Sequence, residues 1–263
     1  MANPNPIGFF DSGVGGSSIW KEVSLLLPHE DSIYLADSQN APYGEKPREE
    51  IIRLSKKNTD QLIEMGAKLI VVACNTATTN AVDYLRSNYS LPFIGIEPAI
   101  KPAALKSVSG SIGILATKGT LSSSLFSKTS ELYSKDIKVT EVVGVGLVKL
   151  IEEGKQDSEE IEMLLRQLLA PMITAEIDHL VLGCSHFPYL IPKLKMILPE
   201  SVEIIDSGEA VARQTKNILE KFDLFNDPSH SANHKLYSNS DPTVLKDLIG
   251  EQIPSTQVSY LQF

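Results

Sequence analysis

The sequence predicts an α/β protein made of two similar halves, each a mainly parallel β-sheet covered by helices. Short apolar runs alternate with longer amphipathic segments along most of the 263 residues, as expected where each strand is followed by a covering helix. Two apolar runs end alike, because Leu69–Ala73 leads into Cys74 and Leu180–Gly183 leads into Cys184. The cysteines lie 110 residues apart (184 minus 74), which is about the size of a domain.

The individual elements follow from hydrophobic periodicity. The predicted strands are Ile7–Phe10, Ser32–Ala36, Lys68–Ala73, Pro92–Ile96, Ser111–Ala116, Lys138–Val143, His179–Gly183 and Glu203–Ile205. The clearest predicted helices are Arg48–Met65, Ser158–Ala175 and Gly208–Phe222. Proline and serine residues around Pro98, Pro102 and Ser107–Ser111 indicate a boundary between the halves. The polar segment Asn226–Ser240 is rich in turn-forming residues, so we predict no regular structure there.

Composition excludes several classes of protein. A formal net charge of −9 argues against nucleic acid or an anionic membrane as the main partner. No apolar run approaches the roughly 18 residues that would span a bilayer, and Met1–Pro6 lacks the features of a secretory signal. We therefore expect a cytoplasmic protein whose two cysteines are reduced thiols. Neither the cysteines nor the five histidines have metal-ligand spacing, so no metal site is predicted.

Loops at the carboxyl ends of the strands are the candidate binding site, because ligands of open α/β sheets bind there. Asp11–Gly16 follows the first strand, and its glycines and free amides favour a tight turn around an anion. A dinucleotide fingerprint is excluded, because Ser18 stands where its third glycine is needed. An ordinary turn capped by Asp11 or Ser12 remains an alternative. Ala41–Gly44 and Thr117–Thr120 also offer amides or hydroxyls after strands, although plain loops explain them nearly as well.

The two cysteines indicate a functional site more specifically than these loops do. A single cysteine at the end of an apolar strand is usually a small buried hydrophobic residue. Here both cysteines occur at strand ends and are followed by hydrogen-bonding side chains, which favours a chemical role. A thiol with a pKa of roughly 8.5 is a poor base unless a neighbour accepts its proton. His186 is available to Cys184, and Asp11 to Cys74 if the loops meet, although His186 could equally be a structural histidine.

Taken together and in order, these motifs resemble the glutamate racemase family over about residues 7–222. The motifs are Asp11–Gly16, Ala36–Ser38, Pro42–Gly44, Val72–Thr76, Leu150–Glu153, Gly183–Pro188 and Ile205–Gly208. The resemblance implies two α/β domains facing each other across a cleft that holds the active site. Residues 1–97 and 207–263 would form the first domain, and residues 98–206 the second. It also implies a homodimer, no cofactor, and production of D-glutamate for peptidoglycan synthesis.

The resemblance further implies roles for particular residues. Cys74 and Cys184 would be the acid/base pair, supported by Asp11, His186 and Glu152, with Glu153 an alternative to Glu152. The implied substrate contacts are Asp11, Ser12, Pro42, Tyr43, Gly44, Asn75, Thr76, Thr117, Thr120, Ser185 and His186. Ser185 departs from the threonine usual in the family, which keeps the hydroxyl and removes one methyl group.

The expected reaction is inversion of glutamate by two bases, one on each wall of the cleft. One thiolate removes the α-proton while the opposite thiol supplies another, and oriented dipoles stabilise the carbanion. A racemase acting on aspartate or another acidic compound is the nearest alternative. A cysteine hydrolase using Cys184 with His186 would leave Cys74 unexplained. A non-catalytic anion-binding module built on Asp11–Gly16 would explain neither cysteine.

Overall fold

The computed structural model describes residues 2–133 and 137–263. The strands in this part of the chain are β1 (Ile7–Asp11), β2 (Ser32–Ala36), β3 (Leu69–Val72), β4 (Phe93–Gly95), β5 (Ser111–Ala116), β6 (Lys138–Val143), β7 (His179–Gly183), β8 (Glu203–Ile205), β9 (His234–Ser238) and β10 (Thr256–Tyr260). The α-helices are α1 (Ser17–Leu26), α2 (Arg48–Glu64), α3 (Asn75–Asn88), α4 (Ile100–Lys106), α5 (Lys118–Leu121), α6 (Ser124–Tyr133), α7 (Leu147–Glu152), α8 (Glu159–Thr174), α9 (Ile191–Ile197), α10 (Gly208–Lys221) and α11 (Thr243–Ile249). Short 3₁₀ helices cover Ser38–Asn40, Tyr43–Glu45 and Phe187–Leu190.

The strands form two separate sheets. One has six strands in the order β10-β9-β2-β1-β3-β4, and the other has four in the order β6-β5-β7-β8. Every strand pair is parallel. In each sheet the cysteine-bearing connection follows a strand that has neighbours on both sides, β3 in the first and β7 in the second. The predicted α/β class with two parallel sheets is therefore confirmed.

Burial explains why apolar runs predicted the strands well. The central strands β1, β3, β5 and β7 are buried along their whole length, because helices cover both faces of a parallel sheet. All eight predicted strands are present, and their ends differ by at most one residue from those predicted. The predicted helix at 158–175 runs from Glu159 to Thr174, because the Ser158 side chain accepts the Ile161 N–H and caps its start.

The prediction of no regular structure in Asn226–Ser240 was wrong for part of that segment. Residues His234–Ser238 form β9, which lies between β2 and β10 in the first sheet. Its inward positions include His234 and Ser238, which are polar, so the strand lacks an apolar run. The burial of His234 is compensated by Ser32, whose Oγ lies 2.7 Å from the His234 Nδ1 atom.

The two sheets contact each other through a shared apolar core. One cluster of buried side chains includes Phe9 of β1 and Ile19 of α1 together with Leu115 of β5 and Phe187. Continuous packing of this kind fixes the relative position of the loops at the strand ends. Within residues 2–133 and 137–263, no helix is both long and apolar enough to cross a membrane.

Candidate active site

The strand ends of the two sheets meet at one small cavity. Asp11 ends β1 and Cys74 follows β3, while Thr117 follows β5 and Cys184 follows β7. The cavity is small, about 230 Å³ when the space open to solvent is included. Its lining residues are Ser12, Pro42, Tyr43, Gly44, Cys74, Asn75, Thr76, Thr117, Val148, Cys184, Ser185 and His186. Both cysteines therefore line one cavity, each supplied by a different sheet.

Cys74 is held at the start of α3. Its Sγ atom accepts the Ala77 N–H at 3.4 Å, as a helix cap does, and its thiol points to the Ser12 Oγ at 3.7 Å. Burial and, after it, the Asp11 carboxylate raise the pKa of the Cys74 thiol well above its usual value, although the contacts with Ala77 and Ser12 oppose the shift. Cys74 therefore rests as a protonated thiol.

Cys184 has a different neighbour, the imidazole of His186. Its Sγ atom lies 3.8 Å from the His186 Nδ1 atom, and the His186 Nε2 atom lies 2.6 Å from a Glu152 carboxylate oxygen. Burial lowers the pKa of His186, but Cys184, Glu152 and Asp11 more than offset this and raise it well above its usual value. These neighbours therefore favour the protonated form of the His186 ring, which lies against the Cys184 sulfur.

The geometry distinguishes Glu152 from Glu153. Glu152 ends α7, and its carboxylate accepts the Val14 N–H at 2.7 Å and the Ser38 hydroxyl at 2.8 Å, in addition to the contact with His186. Glu153 instead pairs with Lys155 at 2.6 Å on the exposed surface. The carboxylate beside the candidate site is therefore that of Glu152, which also joins loops from both sheets.

The glycine-rich loop binds carboxylates of the protein itself. The Gly13 and Gly16 N–H groups donate to the Asp11 Oδ2 atom at 3.2 and 3.0 Å, and Val14 donates to Glu152. A Cβ atom on Gly13 would lie 1.9 Å from a Glu152 oxygen. The loop amides therefore bond to protein carboxylates, and the contacts with Asp11 agree with the capped turn that the sequence left as an alternative. The close approach of Glu152 explains why residue 13 carries no side chain.

Asp11 is fully buried and has little freedom to move. Its Oδ1 atom accepts the Ser185 hydroxyl at 3.1 Å, and its Oδ2 atom lies 4.0 Å from the His186 Nδ1 atom. Burial raises the pKa of Asp11, although His186 and the Gly16 N–H lower it. The Ser185 hydroxyl is thus used to hold Asp11.

The remaining predicted contacts fall into two groups. The Asn75 side chain is buried in the cavity wall, and both its oxygen and its nitrogen lack a hydrogen-bond partner, so it is free to bind a ligand. The hydroxyls of Thr76, Thr117 and Thr120 bond to one another at 2.9 to 3.5 Å. The Thr120 side chain therefore supports Thr76 and Thr117 through hydrogen bonds, and it does not line the cavity itself.

The Tyr43 hydroxyl is directed away from the cavity. It donates to the Asp37 Oδ2 atom at 2.5 Å and accepts from the Asn58 amide at 3.1 Å. Tyr43 can therefore serve a ligand through its backbone and ring, and the structure does not make its hydroxyl available. The adjacent Gly44 packs against Thr117, and a Cβ atom on Gly44 would lie 2.9 Å from the Thr117 Cβ. This contact brings the loops of the two sheets together over the cavity.

Sequence reasoning missed Val148 and the partners of Glu152. Val148 lines the cavity and precedes Glu152 by four residues on α7, so the two lie on the same helix face. The four-residue spacing from Glu152 could have identified Val148 from the sequence.

A wider opening of about 700 Å³ lies next to the cavity and shares Pro42, Gly44, Thr117 and Val148 with it. The charged residues around this opening are Glu45, Lys118 and Lys149. Among the described residues, no group of histidine, cysteine and carboxylate side chains could hold a metal ion.

The unequal surroundings of the thiols predict unequal reactivity. Iodoacetamide should modify Cys184 at least about tenfold faster than Cys74, because the thiolate is the nucleophile and the raised pKa of the Cys74 thiol keeps it protonated, whereas Cys184 lies against the His186 ring. The preference should persist from about pH 6 to 8, because the raised pKa of His186 keeps its ring charged across that range. Mass spectrometry of the two peptides during partial alkylation measures this ratio. Faster modification of Cys74 would contradict the assignment.

Comparisons with known proteins agree with this arrangement. The model of the Asp/Glu/hydantoin racemase family matches residues 18–215. The glutamate racemase of Herpetosiphon aurantiacus is 44% identical over 237 residues, which is 90% of this chain and 93% of that protein. The crystal structure of Escherichia coli glutamate racemase in complex with L-glutamate and the activator UDP-MurNAc-ala aligns with a TM-score of 0.86 and 31% identity, covering 98% of each chain.

A second solved structure extends the likeness. Glutamate racemase from Francisella tularensis in complex with D-glutamate aligns with a TM-score of 0.82 and 26% identity, covering 97% of each chain. The similarity thus includes proteins solved with either enantiomer of glutamate. The chain belongs to the glutamate racemases of the Asp/Glu/hydantoin racemase family, and it is an isomerase.

Proposed function

We propose that this enzyme interconverts L- and D-glutamate by two-base proton transfer between Cys74 and Cys184. The observation that carries the proposal is that both thiols line one small cavity, each at a strand end of a different sheet. Inversion at a carbon requires a proton to leave on one side and another to arrive on the opposite side. Two acid/base groups on facing walls meet this requirement without turning the substrate over.

The surroundings of the thiols suggest the order of events. In the L-to-D direction, Cys184 acts as the base beside the His186 imidazole and takes the α-proton of L-glutamate. Cys74 starts as the thiol, because its pKa is raised, and gives its proton to the other side of the carbanion to form D-glutamate. Cys184 is then the thiol and Cys74 the thiolate, which is the state that accepts D-glutamate. Asp11 and Ser12 lie beside Cys74, and His186 with Glu152 supports Cys184.

Carbanion formation next to a carboxylate needs hydrogen-bond donors and exclusion of water. The unpaired amide of Asn75 and the first N–H groups of α3 supply donors in a buried wall. We assign further contacts to Ser12, Pro42, Tyr43, Gly44, Thr76, Thr117 and Ser185, with Thr120 behind them. Because Asp11 and Ser185 already bond to each other, Ser185 contributes mainly by orienting Asp11.

We further propose that catalysis needs no resident cofactor, since two thiols suffice for both proton transfers. Purified enzyme is expected to keep its activity after dialysis against a chelator, and added pyridoxal phosphate should not raise it. Activity that dialysis removes and pyridoxal phosphate restores would contradict the cofactor proposal.

We also propose that residues 1–97 and 207–263 form one domain and residues 98–206 the other. We further propose that the enzyme is a cytoplasmic homodimer that supplies D-glutamate for peptidoglycan synthesis.

The substrate assignment has a direct test. The change in optical rotation or circular dichroism of L-glutamate should give a kcat/KM at least about 100-fold above that of L-aspartate. The reason is that a cavity built for the longer chain leaves donors for the second carboxylate unpaired when the chain is one methylene shorter. Equal or faster turnover of aspartate would overturn the glutamate assignment and would leave the two-thiol mechanism standing.

A further inference from the structure

A buried carboxylate next to the candidate site takes no part in the cavity wall. Asp37 is fully buried and follows β2, yet it does not line the cavity. It accepts hydrogen bonds from Asn40 at 2.8 Å, Tyr43 at 2.5 Å, Lys57 at 3.0 Å and Asn239 at 2.5 Å. A buried carboxylate surrounded by donors in this way is held in one position and fixes its partners in turn.

One of these partners comes from the C-terminal segment that the sequence did not predict to be ordered. Asn239 directly follows β9 and is almost fully buried. Its amide nitrogen donates to the Asp37 carboxylate, its side-chain oxygen accepts the Gln39 N–H at 2.9 Å, and its backbone N–H donates to the Ala36 carbonyl at 3.2 Å. The side chain and backbone of Asn239 thus hold the segment Ala36–Gln39 at three points.

That segment reaches both walls of the candidate site. Through Asp37 it fixes the Tyr43 hydroxyl, and Tyr43 belongs to the loop that lines the cavity. Through Ser38 it donates to Glu152 at 2.8 Å, and Glu152 in turn contacts His186 beside Cys184. A displacement of the segment would therefore reach the substrate loop directly, and the Cys184 wall through two further contacts.

We infer that Asn239 is a positioning residue for the active site, holding Asp37 and Ser38 so that the loop at Tyr43 and the carboxylate of Glu152 are in place. This inference rests on the proposed racemisation of glutamate. Asn239 itself does not line the cavity, and its side-chain hydrogen bonds lead to the segment Ala36–Gln39, through which its effect passes. Loss of the Asn239 contacts should weaken glutamate binding more than it slows proton transfer, because the connection through Asp37 to the loop at Tyr43 is shorter than the connection to Cys184.

The test compares three variants with the wild type. Asn239→Asp places a second carboxylate against Asp37, and it should raise KM for glutamate about tenfold or more while kcat falls less than about threefold. The double variant Asp37→Asn/Asn239→Asp removes the repulsion and should recover at least about a third of the lost kcat/KM. Asn233→Ala is the matched control, because its side chain is exposed in the same segment, and it should stay within about twofold of wild type.

A second readout does not depend on glutamate turnover. Amide hydrogen exchange of a peptide covering residues 38–46 should quicken in Asn239→Asp, while exchange in peptides from the four-stranded sheet stays unchanged. If the wild type fails to racemise glutamate, this measurement still tests whether Asn239 holds the segment Ala36–Gln39 in place. Should Asn239→Asp prove insoluble, Asn239→Ala takes its place under the same criteria. A folded variant with wild-type KM and unchanged exchange at residues 38–46 would overturn the inference, as would a double variant no better than Asn239→Asp alone.

Discussion

Replacing either Cys74 or Cys184 with alanine should lower the rate of glutamate racemisation by about 10⁴-fold or more. Each turnover uses one sulfur as base and the other as acid, so neither variant can complete the transfer. The measurement is the initial rate of change in circular dichroism from pure L-glutamate and from pure D-glutamate. Substantial racemisation by the Cys74→Ala variant would show that a single base serves both enantiomers.

Serine variants test which thiol acts on which enantiomer. A hydroxyl is far less acidic than a thiol, so Cys74→Ser and Cys184→Ser each retain one competent base. A 3-chloroglutamate needs only that base, because removal of the α-proton is followed by loss of chloride, and water then hydrolyses the product to 2-oxoglutarate and ammonia. Cys74→Ser should process the analogue of L configuration, and Cys184→Ser the analogue of D configuration. Each variant controls for the other, and the same preference in both would contradict the two-base mechanism.

The second large effect is expected for His186→Asn, which removes the cation beside Cys184 and leaves Glu152 without its 2.6 Å partner. We expect kcat/KM to fall by about 10²–10³-fold, the size typical for loss of an acid/base group. The fall must be the same from L- and D-glutamate, since enantiomers have equal free energies in water and their equilibrium constant is unity. Steady-state rates alone therefore cannot reveal which thiol His186 assists.

Kinetic isotope effects separate the two proton transfers. If His186 assists Cys184, its loss makes transfer at Cys184 the slow step. The isotope effect with α-deuterated L-glutamate should then increase, while that with α-deuterated D-glutamate should decrease. His179→Asn is a matched control, because His179 is a buried histidine at the opposite end of β7, where it contacts Asp178 at 2.8 Å. Equal isotope effects in the His186 variant would refute its assignment to Cys184.

The sequence was informative where a local pattern of residue types predicts a single kind of structure. Apolar runs that lead straight into Cys74 and Cys184 predicted buried parallel strands, and parallel strands present their carboxyl ends at one edge. The pattern of residues therefore sufficed to assign both thiols to a site at the strand ends. For the Asp11–Gly16 loop the sequence left two interpretations open, an anion site and an ordinary capped turn. In the structure the amides of Gly13 and Val14 donate to the carboxylates of Asp11 and Glu152, so the turn is capped by the protein itself.

Other features depended on distant partners and so escaped the sequence. The buried side of strand β9 includes the polar residues His234 and Ser238, and the contact of His234 with Ser32 helps to compensate for its burial. Glu152 and Glu153 are equivalent as neighbours in sequence. They differ only because α7 directs one towards His186 and leaves the other at the surface.

The amino-acid sequence by itself predicted the α/β class and strands β1 to β8, and it singled out the two thiols, because burial patterns and strand ends are local properties. The tertiary structure decided which atoms meet. It placed Asp11 beside the Cys74 thiol, set the His186 imidazole against the Cys184 sulfur, and turned the Tyr43 hydroxyl towards Asp37 and away from the cavity. Asp11 and Cys74 are far apart in the chain, and only the folded packing brings them together. The other two pairs are close in sequence, and the packing decides how their side chains are oriented.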